Sequence, residues 1–138
     1  ARGRYLWLDL QRETRRLGIA WRRPARFPFN STLATKTATW IDTGFRLPAY
    51  CRAVFRAGFA ERRDPATPTV IEECLRQAGL DRAPLDRALA EGGGERTRAD
   101  VAAARQRDIF GAPSFVVNGE LFWGNERLGA ALERAWVD

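Results

Sequence analysis

Three short segments carry residue types that can do chemistry. In Ile109-Phe110-Gly111-Ala112-Pro113-Ser114-Phe115 a proline opens a strand-like run. Proline is tolerated as the first residue of a strand, where its missing N–H is not needed, and that is the plainer reading. The sharper reading is a cis Ala112–Pro113 bond, which would leave the Ala112 peptide groups facing outward to pair with an extended peptidic ligand. In Trp123-Gly124-Asn125-Glu126-Arg127, Asn125 suits a helix N-cap and Glu126 suits the positive end of a helix dipole. The same helix start can instead hold a ligand carboxylate on free N–H groups. Glu126 would then pair with an ammonium beside it, an arrangement fitting the zwitterionic end of a γ-glutamyl group. In Arg26-Phe27-Pro28-Phe29-Asn30 the aromatics either pack a core corner or line a flat apolar pocket with Asn30 as its polar group. Arg2 and Arg4 read first as solvated helix charges, and either can also reach an anionic substrate.

Other chemistries are excluded by composition. The chain has no histidine, so a Ser-His-Asp triad, a Cys-His pair and the commonest zinc sites are not available to it. No metal ligand set is expected. Its two cysteines, Cys51 and Cys74, form no CxxC and fall at apolar helical positions, which predicts free buried thiols. The formal charge is +6, from 23 basic residues of which Lys36 is the single lysine. Arginine is spread along the chain with Asp and Glu interleaved and forms no phosphate-binding stripe, so no nucleic-acid partner is expected. No apolar run approaches a membrane span and no leader pattern opens the chain, which predicts a cytoplasmic protein with no membrane partner. The 138 residues contain no methionine and begin at Ala1 inside a helical pattern, so the chain is expected to lack its own N-terminal part.

The elements that must position these segments follow from periodicity. Helices are predicted over 1–17, ended by Gly18; about 31–42, capped by Asn30-Ser31; and from Leu47 to Phe59. The third has the cleanest period, with Leu47, Tyr50, Cys51, Val54, Phe55, Gly58 and Phe59 on one face. A helix capped by Thr67 or Thr69 turns Ile71, Cys74, Leu75 and Ala78 inward and stops at Gly79. Shorter helices are predicted at 84–91 and 95–108, the latter burying Val101 and Ala104, on either side of a Gly92-Gly93-Gly94 joint. The pattern then changes to a hairpin, Ser114–Val117 and Glu120–Trp123 around an Asn118-Gly119 type I′ turn. A last helix, Asn125 to about Trp136, should bury Leu128, Ala131, Leu132 and Ala135.

Taken in order, Arg2-Gly3-Arg4-Tyr5-Leu6, Arg26-Phe27-Pro28-Phe29-Asn30-Ser31, Val54-Phe55-Arg56-Ala57, the Ile109–Val117 run and the Asn118–Leu128 run resemble the 2-hydroxychromene-2-carboxylate isomerase family. This is a glutathione-dependent relative of DsbA and of kappa-class glutathione transferases. The resemblance implies an α/β, mostly helical chain: a thioredoxin-like domain with a helical insertion, lacking its N-terminal βαβ half. It assigns 1–108 to the insertion subdomain and 109–138 to the cis-Pro loop, hairpin and helix. It implies glutathione as cofactor, bound by Ala112, Pro113, Asn125, Glu126 and Arg2, and a small aromatic acid substrate against Phe27, Asn30 and Trp123. It also implies a homodimer. The expected chemistry is reversible addition of the glutathione thiolate to an unsaturated acid, allowing bond rotation. The family's thiol-contacting Ser has no counterpart here, so no catalytic residue is expected in this chain and weak or no activity from it alone. The family more often has Val before the proline, Asp at Glu126 and Lys near Arg2. A DsbA-like oxidoreductase and a kappa-like transferase are the alternatives.

Overall fold

Gly18 and Gly79 both stand at positive φ (66° and 71°), and each ends a helix where a left-handed residue lets the chain turn away. The computed structural model describes residues 2–137, with Arg2 described by its backbone alone. Its elements run α1 Arg2–Arg16, α2 Thr32–Ala38, α3 Arg46–Phe59, α4 Pro68–Gln77, α5 Ala83–Ala90, α6 Glu95–Gln106, β1 Ser114–Val117, β2 Glu120–Trp123, a 3-10 turn Asn125–Arg127, and α7 Leu128–Ala135. They form two compact units, Ala1–Gly94 and Glu95–Asp138.

In the first unit the core is made by α2 to α5. Ile71, Leu75 and Leu85 are wholly removed from solvent, each such burial stabilising the fold by about 1.5–3 kcal/mol. Tyr50 is buried among them and its hydroxyl donates to the Ala34 carbonyl oxygen at 3.1 Å. The inner face of α3 is rotated from the one its large apolar residues predict. Tyr50, Ala53, Ala57 and Gly58 are buried, whereas Phe55 is 63% exposed. Small residues at 53, 57 and 58 let neighbouring chain approach this helix closely. A Cβ on Gly58 would stand 3.2 Å from the Phe29 ring tip and 3.4 Å from Pro65.

α2 is shorter than predicted. Past Ala38 the N–H groups of Trp40 and Ile41 bond three residues back, to Thr37 and Ala38, so the last turn tightens before the chain leaves at Asp42. α1 buries no residue among those described and is joined to the rest of its unit through aromatic rings. Trp7 meets Trp21 at 6.2 Å and stands edge-on to Phe27 at 4.9 Å, and Phe27 continues to Phe29 and Phe59.

In the second unit, β1 and β2 pair antiparallel with Ser114 opposite Trp123 and Val117 opposite Glu120. Asn118 (φ 50°) and Gly119 (φ 80°) supply the two positive-φ positions of the predicted turn. α7 packs on the hairpin through Ala131, which is 3% exposed; Leu128 and Leu132, predicted inward, are 40% and 51% exposed. The helix begins one short turn later than predicted because Asn125–Arg127 is 3-10, and this changes which side chains face the strands. α6 forms as predicted but has no buried residue, and Val101 is 46% exposed.

Candidate functional site

The end of the hairpin opposite its turn gathers one group of expected site residues. Pro113 precedes β1 and Gly124 follows β2, and the Gly124 N–H donates to the Pro113 carbonyl oxygen at 3.0 Å. The Ala112–Pro113 peptide is cis. The Ser114 hydroxyl donates to the Gly111 carbonyl oxygen at 2.6 Å, so it serves the loop's own geometry. Ala112 and Pro113 are exposed, and among the described residues nothing bonds to the Ala112 N–H or C=O. An unpaired peptide edge of this kind can take an extended ligand backbone.

Trp123 is half exposed and its ring lies 5.1 Å from that of Phe110, itself 71% exposed. The indole also covers Gly111 so closely that only a residue without a Cβ fits beneath it. Phe110 is an aromatic neighbour the sequence reading passed over; its place before the Gly-Ala-Pro turn was the available signal.

Asn125 is not the N-cap that its residue type suggests. Gly124 holds that position, at φ 107° and ψ 148°, and no side chain caps the turn. The glycine conformation brings the Glu126 carboxylate back over Gly124, where an added Cβ would collide with it. The first turn therefore offers N–H groups next to an exposed carboxylate. Such a start can meet both charges of an α-amino acid. Ala112, Pro113, Trp123, Asn125 and Glu126 thus fall within one hydrogen-bonded frame.

Phe27 and Asn30 belong to the other unit. Phe27, half exposed, joins the ring cluster, and the Phe27–Pro28 peptide is cis as well, which the sequence reading did not foresee. Asn30 Oδ1 accepts from the Thr32 N–H at 2.9 Å, satisfying the first N–H of α2 from one residue ahead of its N-cap, Ser31. Its amide nitrogen makes no hydrogen bond among those described. Trp7 and Trp21 were also missed as ring partners, as was the Arg23 guanidinium lying 4.7 Å over the Trp7 ring. The Arg2 side chain lies outside the described residues.

Cys51 and Cys74 are free, and burial pushes both thiols above their ordinary pKa. Protonated, desolvated thiols are poor nucleophiles. Among the described residues no cluster of acidic, thiol or imidazole groups could hold a metal ion, and no helix is long and apolar enough to cross a membrane.

A cis-proline loop joined to a hairpin and a following helix, with a helical region ahead of it in the sequence, is a thioredoxin-type arrangement. Residues 1–134 match the family model of the DSBA-like thioredoxin domain, and the chain belongs to that family. Its relatives narrow the comparison. It is 32% identical over 130 residues to 2-hydroxychromene-2-carboxylate isomerase of Pseudomonas putida, covering 90% of this chain and 61% of that protein. The enzyme of the same name from Pseudomonas sp. strain C18 is 29% identical over 128 residues, covering 90% and 58%. A solved structure of 2-hydroxychromene-2-carboxylate isomerase superposes with a TM-score of 0.77 at 32% identity, over 95% of this chain and 64% of that one. The chain thus spans about three-fifths of the length of the curated relatives it matches.

Proposed function

We propose that the protein is a glutathione-dependent isomerase acting on an aromatic-derived unsaturated acid of the 2-hydroxychromene-2-carboxylate type. What supports the ligand is the frame held by the Gly124–Pro113 hydrogen bond, with the free Ala112 peptide on one side and the Glu126 carboxylate on the other. What supports the reaction is the similarity to the Pseudomonas isomerases.

On this reading the Ala112 N–H and C=O pair with the peptide of glutathione. The N–H groups of Asn125 and Glu126 meet its α-carboxylate, and the Glu126 side chain meets its ammonium, while the Arg127 N–H stays bonded to the Gly124 carbonyl oxygen. Bound glutathione would supply a thiol able to add reversibly to the unsaturated acid. Within the second unit, the half-exposed Trp123 ring offers a face for the aromatic acid. Holding both reactants in register is the chain's main contribution to rate. A homodimer in the cytoplasm is part of the same proposal. A disulfide-exchange reading gains nothing from Cys51 or Cys74, which are desolvated and form no CxxC.

Calorimetric titration of the protein with glutathione tests the ligand. Glu126→Gln should weaken binding about tenfold, the equivalent of losing one charge-assisted contact. Unchanged affinity in Glu126→Gln and Asn125→Ala would sink the γ-glutamyl site. Glutathione-dependent interconversion of 2-hydroxychromene-2-carboxylate, followed by absorbance, tests the reaction.

A further inference from the structure

Between the segment entering α2 and the loop leaving α3 lies a cleft of about 290 Å³, lined by Pro24, Arg26, Phe29, Asn30, Arg62 and Pro65, with Asp64 and Ala66 beside them. It lies wholly within the first unit. We infer that this cleft binds the carboxylate of a single-ring or fused-ring aromatic acid, held between the Arg26 and Arg62 guanidiniums over a floor of Phe29 and the two prolines. The inference rests on the aromatic-acid part of the proposed function.

Three observations carry it. The floor is apolar and built: Pro24 and Pro65 are buried, and Phe29 is wedged against Gly58. The volume is at the small end of those that hold organic ligands. The rim is cationic and unengaged. Neither Arg26 nor Arg62 makes an ion pair or hydrogen bond among the described residues, whereas Arg63 beside them is bound to Glu73 at 2.7 Å and approaches Glu61. Asp64 is the one carboxylate lining the cleft, and its Oδ1 already accepts from the Ala66 N–H at 2.9 Å. The free Asn30 amide nitrogen adds a neutral donor. Such a rim suits one carboxylate, which planar guanidiniums bind in paired hydrogen bonds.

The third observation is the backbone. Arg62 adopts φ 58°, at the turn following α3, where the Arg63 N–H reaches back to the Ala57 carbonyl. Glycine takes that conformation without steric cost, and an arginine there holds its charge at the cleft mouth against a local preference.

Salicylate is the probe, with salicylamide as its uncharged counterpart. Titration of the protein followed by amide NMR should place salicylate shifts at Asn30, Arg26, Arg62 and Ala66. Arg26→Gln and Arg62→Gln should each weaken it about tenfold or more, and salicylamide should bind correspondingly less well. Arg62→Gly separates charge from fold: it should raise the melting temperature while losing salicylate. Equal affinity for salicylamide, unchanged affinity in both glutamine variants, shifts elsewhere, or no binding overturns the inference. Glutathione binding sensitive to Glu126 alongside any of those results would leave the isomerase reading standing and remove only this cleft.

Discussion

The indole of Trp123 covers the backbone of Gly111 with no room for a side chain between them: a Cβ there would lie 2.5 Å from Nε1. The cis-proline loop and the end of β2 are therefore packed backbone against ring. Gly111→Ala should displace the indole and cost about 1–3 kcal/mol, as overpacking does. Chemical denaturation measures the cost. A shift in tryptophan emission that disappears in a Trp123→Phe background would identify the ring that moved.

Gly124 has a different reason to be glycine. Its φ of 107° with ψ 148° is a conformation that side chains oppose, and the Glu126 carboxylate occupies the space a Cβ would take. Gly124→Ala is expected to destabilise the protein by about 1–3 kcal/mol. Repeating the substitution in Glu126→Ala should recover only part of the loss, since the backbone component remains.

The two thiols should differ in reactivity. Cys74 is 1% exposed and Cys51 is half-buried, and burial raises the pKa of both. Reaction with an aromatic disulfide reagent at pH 8 should label Cys51 first and Cys74 only on unfolding, both more slowly than an exposed cysteine. Fast labelling of Cys74 in the native protein would contradict the α3–α4 packing.

Tyr50 should make stability fall in alkali. Burial pushes its phenol above the ordinary value of 10.0. The folded state thus keeps a proton that the unfolded state releases, and the associated stability is present below about pH 10 and lost as pH rises beyond it. Tyr50→Phe removes the bond to Ala34 at a cost of about 1 kcal/mol. It should also flatten this alkaline slope in denaturation curves taken from pH 8 to 11.

What the sequence made legible, and what it hid, follows from the range of the forces involved. The Asn118-Gly119 turn, its flanking strands and the stop at Gly79 are local and were readable, because a few residues' φ/ψ preferences decide them. The cis Ala112–Pro113 bond was one of two readings and is the one observed. The face of α3 was misjudged because period finds large apolar residues, while the packing uses Ala53, Ala57 and Gly58 for close approach. Asn125 offered a cap by residue type, yet Gly124 took the place through a backbone conformation no pattern encodes. The free edge at Ala112 was read together with that cis bond, whereas the cleft beside Arg62 depends on segments distant in sequence and leaves no periodic trace.

The pairing of Ser114 with Trp123 at one end of the hairpin and Val117 with Glu120 at the other makes the two ends independent as engineering sites. Three residue steps along a strand carry the turn about 10 Å from the proline loop. A peptide tag or fluorophore spliced between Asn118 and Gly119 would lengthen the ribbon's tip while the clasp between Pro113 and Gly124 stayed closed. The molecule thus provides its own handle for immobilisation, placed where attachment leaves the cis-proline end untouched.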